Sequence, residues 1–251
     1  MALARADLES LLRARKLDGT LAHVRPPAEE RPALQISGIP AGDAPPAQIS
    51  LPRGELSEIA GTRSTGRTTL MCAAIGSATS RGELAALVDA LDRFDVASAH
   101  AAGVELANLL WVRGAACSVE AIRGVRLKAD ATSGAGHETL WRAVERAIKA
   151  FTLVLESRAF GLAVCDLADV PPGILRRLPF TTWFRLARLV EGGTTAALLV
   201  APERTGRSAG GVTILLGDEA LATGHITWHG HTDRSRLFAG IVPRARVLGG
   251  R

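Results

Sequence analysis

Ile59 to Leu70 reads I-A-G-T-R-S-T-G-R-T-T-L, with an apolar run before it and a helix pattern of small residues after it. The stretch has the form of a phosphate-binding loop with one fault. In the pattern G-x-x-x-x-G-K-[ST], glycines let the backbone curl so that its N–H groups face a phosphate at a helix N-terminus. The lysine then reaches the β and γ oxygens and the hydroxyl holds Mg²⁺. Gly61, Gly66, Thr68 and Thr69 fit, but Arg67 stands at the lysine position. A planar, wider guanidinium does not replace a compact ammonium inside a loop that closes tightly around phosphates. The signal for the fold is intact while the signal for catalysis is damaged.

Working outward, L-S-E-I-A before the loop is a strand, and Thr68 to Thr79 after it is a helix ended by Arg81-Gly82. Leu84 to Asp89 reads as a buried strand, Val96 to Ala102 as a short helix and Leu109 to Val112 as another strand. After a polar break at Asp130 to Gly136, Leu140, Val144, Ile148, Phe151 and Leu155 recur at helical spacing and must lie against the sheet. Leu162 to Asp166 is a strand ending in an acid, Thr181 to Val190 a helix, and Ala196 to Ala201 a further strand. A short polar turn leads to Val212 to Leu216, His225 to His231 alternates as an exposed strand, and a hairpin-like β edge closes the sheet. Strands alternating with helices predict an α/β core with a mostly parallel sheet flanked by helices.

Ahead of this core, Ala2 to Leu21 carries Leu8, Leu11, Leu12 and Leu17 near helical spacing, an amphipathic helix suited to docking on a partner or on its own domain. His23 to Pro52, rich in Pro, Gly and Ala with a short strand candidate at Leu34 to Ser37, reads as an extended arm. The expected division is residues 1–52, helix and arm, and 53–251, core.

Composition narrows the class. A chain of 251 residues with 47% hydrophobic content can bury one substantial core. No apolar run approaches the roughly 20 residues that span a bilayer, so a cytoplasmic protein without membrane contact is expected. Cys72, Cys117 and Cys165 lack C-x-x-C spacing and read as buried, reduced core residues. Thirty basic against 25 acidic residues give a net charge of +5, which permits nucleic acid or acidic partners without requiring either.

Between Leu56 and about Leu216 the order of elements and the local text resemble the RecA recombinase core. The loop is one match. Ala86 to Leu110, A-L-V-D-A-L-D-R-F-D-V-A-S-A-H-A-A-G-V-E-L-A-N-L-L, is the more specific one. The resemblance implies a P-loop core that takes ATP, with Asp166 at the position that holds Mg²⁺ through water. Four departures accompany it. Arg67 replaces the phosphate lysine, and Leu91, which has no acceptor, aligns with the glutamate that orients the attacking water. Ala201-Pro202 stands where the family has its γ-phosphate sensor, and the long loop that grips single-stranded DNA is cut down to the turn Glu203 to Gly211.

Such a pattern is similar to the truncated RecA homologues called ImuA, as is the leading R-A-x-L-x-x-L-L-x-A-R-x-L-D-G-T. That resemblance implies a non-hydrolysing accessory role in SOS-linked, error-prone translesion DNA synthesis. The implied partner is an inactive Y-family polymerase homologue of the ImuB type that serves as adaptor, with RecA itself as a second candidate. Two other readings stay open: a DNA-binding RecA paralogue with weak ATPase activity that regulates recombination, and a division inhibitor of the SulA kind.

Several residues keep two readings. The loop either binds ATP with magnesium or survives as a structural turn, and no cofactor is expected to be required. Asp89 and Asp166 end strands at the edge where open α/β sheets bind ligands, so each either serves Mg²⁺ or pairs with Arg67. His225, His229 and His231 lack a neighbouring acid cluster and suit a solvated strand better than a metal site. Trp111, Trp141 and Trp183 are expected in the core. Arg234, Arg236, Arg244 and Arg246 either track phosphates weakly or form an ordinary solvated edge.

Overall fold

The elements follow from two periodicities, apolar residues on both faces of short strands and apolar stripes on helices. In the computed structural model, residues 32–41, 44–114, 134–206, 210–217, 225–230, 232, 234–242 and 245–249 are described. In chain order they form β1 (Leu34–Ala41), β2 (Ala44–Leu51), β3 (Leu56–Gly61), α1 (Arg67–Thr79), β4 (Ala85–Asp89), α2 (Val96–Ala101) and β5 (Leu109–Arg113). There follow α3 (Gly134–Ser157), β6 (Leu162–Asp166), α4 (Pro172–Leu175), α5 (Phe180–Val190), β7 (Ala196–Ala201), β8 (Thr213–Leu216), β9 (His225–His229), β10 (Leu237–Val242) and β11 (Ala245–Leu248).

The main sheet runs β11-β8-β3-β7-β6-β4-β5, parallel throughout except where β11 pairs antiparallel with β8. Because side chains alternate, each central strand feeds both faces. Ile59, Leu87, Val164 and Leu198 pack with α1 and with Leu34, Ile36, Ile49 and Leu51 of the β1–β2 hairpin. Their neighbours Val88, Cys165 and Leu199 pack with α3, α4 and α5 on the other face. The fold is therefore an α/β core with a mostly parallel sheet covered on both sides, as its residue pattern predicts. No helix among the described residues is long and apolar enough to cross a membrane.

Three expectations need correction. First, Leu34 to Leu51 is not an extended arm: it is a hairpin whose apolar side chains are buried against α1, and the compact unit begins at Pro32. The prolines that suggested an arm fall in β2 (Pro45, Pro46) and beside it (Pro52), in a separate two-stranded sheet where a missing N–H is tolerated. Second, the β9–β10 hairpin forms its own two-stranded sheet, and β11 is the strand that closes the main sheet. Third, α3 begins at Gly134, inside the stretch read as a break. Its stripe behaves as its spacing requires, with Leu140, Val144, Phe151 and Leu155 buried and Ile148 packed against them. Residues 1–31 lie outside the described residues, and with them Leu8, Leu11, Leu12 and Leu17.

Candidate phosphate-loop site

Parallel strands with helical crossovers bring their C-terminal ends to one edge, and the singled-out residues gather there. Gly61 ends β3, Asp89 ends β4 and Asp166 ends β6, with Asp89 and Asp166 opposite each other in register. Between β3 and α1 the chain turns through Ser64, at φ 60°, and Gly66, at φ 95°. Gly66 is the residue preceding the first turn of α1, in the left-handed region that favours glycine. Gly61 is demanded by space: a Cβ there would stand 2.8 Å from Thr65 Oγ1 and 2.9 Å from Leu216. Thr65 is buried and its hydroxyl donates to the Thr62 carbonyl at 2.7 Å, closing the curl. Thr68 and Thr69 are exposed on the first turn of α1.

Arg67 departs from the pattern in position as well as in chemistry. Only 7% exposed, its guanidinium donates from Nη1 to the Ala168 carbonyl at 2.5 Å, and Nη2 lies 3.8 Å from Asp169 Oδ1. Arg63 Nε donates to the same Asp169 oxygen at 3.1 Å. Two arginines of the loop are thus tied to the segment after β6. The acid that pairs with Arg67 is Asp169, which was not among the expected residues, while Asp89 and Asp166 have other partners. Asp89 is buried and accepts from the Phe94 N–H at 2.8 Å and from Trp111 Nε1 at 3.4 Å. Asp166 accepts from the Ala168 N–H at 2.9 Å. Burial, with the Asp89 and Asp169 charges adding to it, pushes the Asp166 carboxyl up to about 6 against the pull of the Ala168 N–H and Arg67.

Arg67, Thr68, Asp89, Leu91, Phe94 and Asp166 are among the residues lining a cleft of about 110 Å³. Sites that enclose drug-sized ligands run to roughly 300–1,000 Å³, so this cleft does not enclose a whole nucleotide. A magnesium nucleotide finds only part of what it needs. The loop and the exposed Thr68 hydroxyl stand at a helix N-terminus, a setting that suits an anion. Against this, the Arg67 guanidinium is folded onto Ala168 and Asp169, and Leu91 is buried with no acceptor to present. Among the described residues, no group of three or more His, Cys, Asp and Glu side chains is placed to hold a metal ion.

A second acid escaped the sequence reading. Glu58, in the middle of β3, is 2% exposed. Its Oε1 accepts the N–H groups of Thr205 at 2.6 Å and Gly206 at 2.9 Å, while Oε2 is buried with no hydrogen-bond partner. Burial raises its carboxyl above the ordinary range, opposed by those two N–H groups. Glu58 pins the short turn after β7 to the sheet, and Arg176 grips the same turn through a two-pronged pair with Glu203, at 2.6 and 2.8 Å. An acid inside a short, mostly apolar strand was the available signal, since buried carboxylates are rare without a partner. For Asp169 the signal was weaker: two loop arginines need acids, but spacing does not say which.

The remaining residues divide. Arg234 and Arg236 are exposed at the connection of the β9–β10 hairpin and Arg246 is exposed on β11, so the basic set is split between two sheets, and Arg244 lies outside the described residues. His229 is exposed at the end of β9, which begins at His225, and His231 lies outside the described residues. Trp183 is buried, and Trp111 is partly buried against Phe94, ring centroids 5.4 Å apart. Cys72 and Cys165 are buried free thiols, and Cys117 is not described.

Comparison with known proteins agrees with this geometry over part of the chain. Residues 34–119 match the RecA N-terminal domain family. Protein RecA of Lactobacillus johnsonii is 38% identical over 85 residues, which is 32% of this chain and 24% of that protein. Protein RecA of Chlorobaculum tepidum is 48% identical over 60 residues, 24% of this chain and 17% of that protein. Protein RecA of Salinispora arenicola is 38% identical over 85 residues, again 32% and 24%. The chain thus spans about a quarter or less of the length of these relatives. Over that part the chain is similar to RecA, and the family match begins at β1, where the hairpin replaced the expected arm.

Proposed function

We propose that this RecA-like chain is a non-hydrolysing accessory protein of error-prone translesion DNA synthesis, of the ImuA type, acting through protein partners. The observation that carries the reading is the attachment of Arg67 to the Ala168 carbonyl and Asp169, beside a buried Leu91. A phosphoryl-transfer site works by positioning charge on the γ-phosphate and orienting its water. Here the cation nearest the loop is engaged with the protein, and the side chain at the water-orienting position is a hydrocarbon. The anchored short turn at Glu203 to Gly206 supports the same reading, because a turn held by Glu58 and Arg176 does not wrap a DNA strand.

In this role the sheet is a platform. The adaptor polymerase homologue is the principal partner, RecA a second, and the leucines Leu8, Leu11, Leu12 and Leu17 supply one docking stripe. Steady-state phosphate release by the purified chain with ATP and Mg²⁺ tests the reading. Release at background is expected, and capture of the adaptor homologue should succeed without nucleotide. Turnover that disappears in Thr68→Ala would instead establish the alternative, a RecA paralogue with ATPase activity of its own.

A further inference from the structure

α3 and α5 pack side by side on the sheet and leave an open groove of about 630 Å³ between their outer faces. Trp141, Ile148 and Leu153 of α3 and Leu178, Leu186 and Leu189 of or beside α5 supply its apolar surface. The helix stripe that faces the sheet does not explain Leu153. It stands off the Leu140–Leu155 line and is 67% exposed. Burial of a leucine side chain is worth about 1.5–3 kcal/mol, so a partner that covers Leu153 and the partly buried apolar residues beside it gains that contribution on binding.

The charges around the groove are net positive. Lys149 and Arg185 line it, Arg177 stacks its guanidinium 5.0 Å from the Trp141 ring centroid, and Glu145 is the one acid in the lining. The walls are two helices with no free strand edge, so an extended peptide would leave its backbone N–H and C=O groups unpaired there, whereas a helix satisfies its own. From Trp141 to Leu153 the wall rises about 18 Å, three turns of a partner helix.

We infer that this groove receives an amphipathic helix of a partner protein, with an apolar stripe flanked by acidic residues. The chain's own amphipathic stretch suits it less: Ala2 to Leu21 carries Arg5, Arg13, Arg15 and Lys16 against Asp7, Glu9 and Asp18, a net positive segment facing a net positive groove. The inference deepens the adaptor reading by giving it a contact surface, and its test does not pass through nucleotide turnover.

The test uses the full chain and three fluorescent helical peptides of about 16 residues, long enough to span the groove. One has a leucine stripe flanked by Glu, one the same stripe flanked by Lys, and one is the chain's own N-terminal stretch. The acidic peptide is expected to bind at least about tenfold tighter than the other two, and Leu153→Asp to lower its affinity about tenfold or more, as loss of one buried leucine requires. Arg185→Glu should narrow or reverse the preference between acidic and basic peptides. Both positions are solvent-exposed, and unchanged circular dichroism, with Leu153→Ala as a milder second variant, separates lost binding from lost folding. Equal binding of acidic and basic peptides, no binding, or indifference to Leu153 overturns the proposal. So does tighter binding of the N-terminal peptide, or self-association in sedimentation that Leu153→Asp abolishes. ATP turnover would sink the adaptor role and leave the peptide result standing; failure of the peptide would sink only the groove.

Discussion

Arg67 shows how one substitution changes the meaning of a motif. A lysine in that place would be a point charge free to follow a ligand, whereas the arginine has a fork that matches a carbonyl and a carboxylate at once, and the chain supplies both in Ala168 and Asp169. Beside it, Asp166 is held above its ordinary value of 3.8, at about 6. The folded state therefore disfavours the ionised form. The stability contribution is greatest below about pH 4 and is lost as pH rises toward the folded value. Asp166→Asn keeps an oxygen for the Ala168 N–H and removes the charge. It is expected to stabilise the protein at neutral pH by up to about 3 kcal/mol, with little gain at pH 4, in urea unfolding at the two pH values. A variant no more stable than the parent at neutral pH would contradict this account. Glu58, also raised by burial, shifts stability in the same direction.

Among the elements, the β1–β2 hairpin departs furthest from its sequence reading. Pro and Gly in that stretch point to a loose connection, yet Leu34, Ile36, Ile49 and Leu51 are all at or near zero exposure against α1. Ser77 of α1 donates its hydroxyl to the Gln35 carbonyl, a second tie between hairpin and helix. Ile36→Ala is expected to cost about 3 kcal/mol, the cost of a cavity in a closed core, measured by chemical denaturation. A detachable arm would lose almost nothing. The alternation that marks this hairpin is short and broken by register shifts between Ile36, Ile39 and Ala41, which hides it from a period-two search. α3 was legible for the opposite reason: its stripe from Leu140 to Leu155 repeats over about four turns, and the face it lays on the sheet follows from the stripe.

At the scale of the whole molecule, the chain offers a covered sheet and a short, pinned turn at the edge where open α/β sheets bind ligands. The basic residues are dispersed, with Arg234 and Arg236 at one hairpin and Arg246 on the closing strand. Any single-stranded DNA binding should therefore be weak and driven by phosphate neutralisation. If Arg234, Arg236, Arg244 and Arg246 all engage, the slope of log affinity against log salt should be no steeper than about −3. Titrations at several salt concentrations read this slope, and electron microscopy with an ATP analogue should show no helical filament. A steep slope together with nucleotide-dependent filaments would favour the recombination paralogue.

Sequence alone determined the α/β class, the position of the loop, the order of the strands and longer helices from β3 to β8, though not the single turn of α4, and the acids at the strand ends. These are written in local periodicities and in the spacing of glycines, which the chain cannot satisfy in another way. Tertiary structure decided what those residues touch. It selected Asp169 as the partner of Arg67, placed Glu58 under the turn after β7, folded the hairpin into the core and separated the β9–β10 hairpin from the main sheet. Each outcome joins residues far apart in the chain, such as Arg67 with Ala168 and Glu58 with Thr205. Such pairings are chosen by which groups the packed sheet brings together and deprives of water, and no local pattern encodes that.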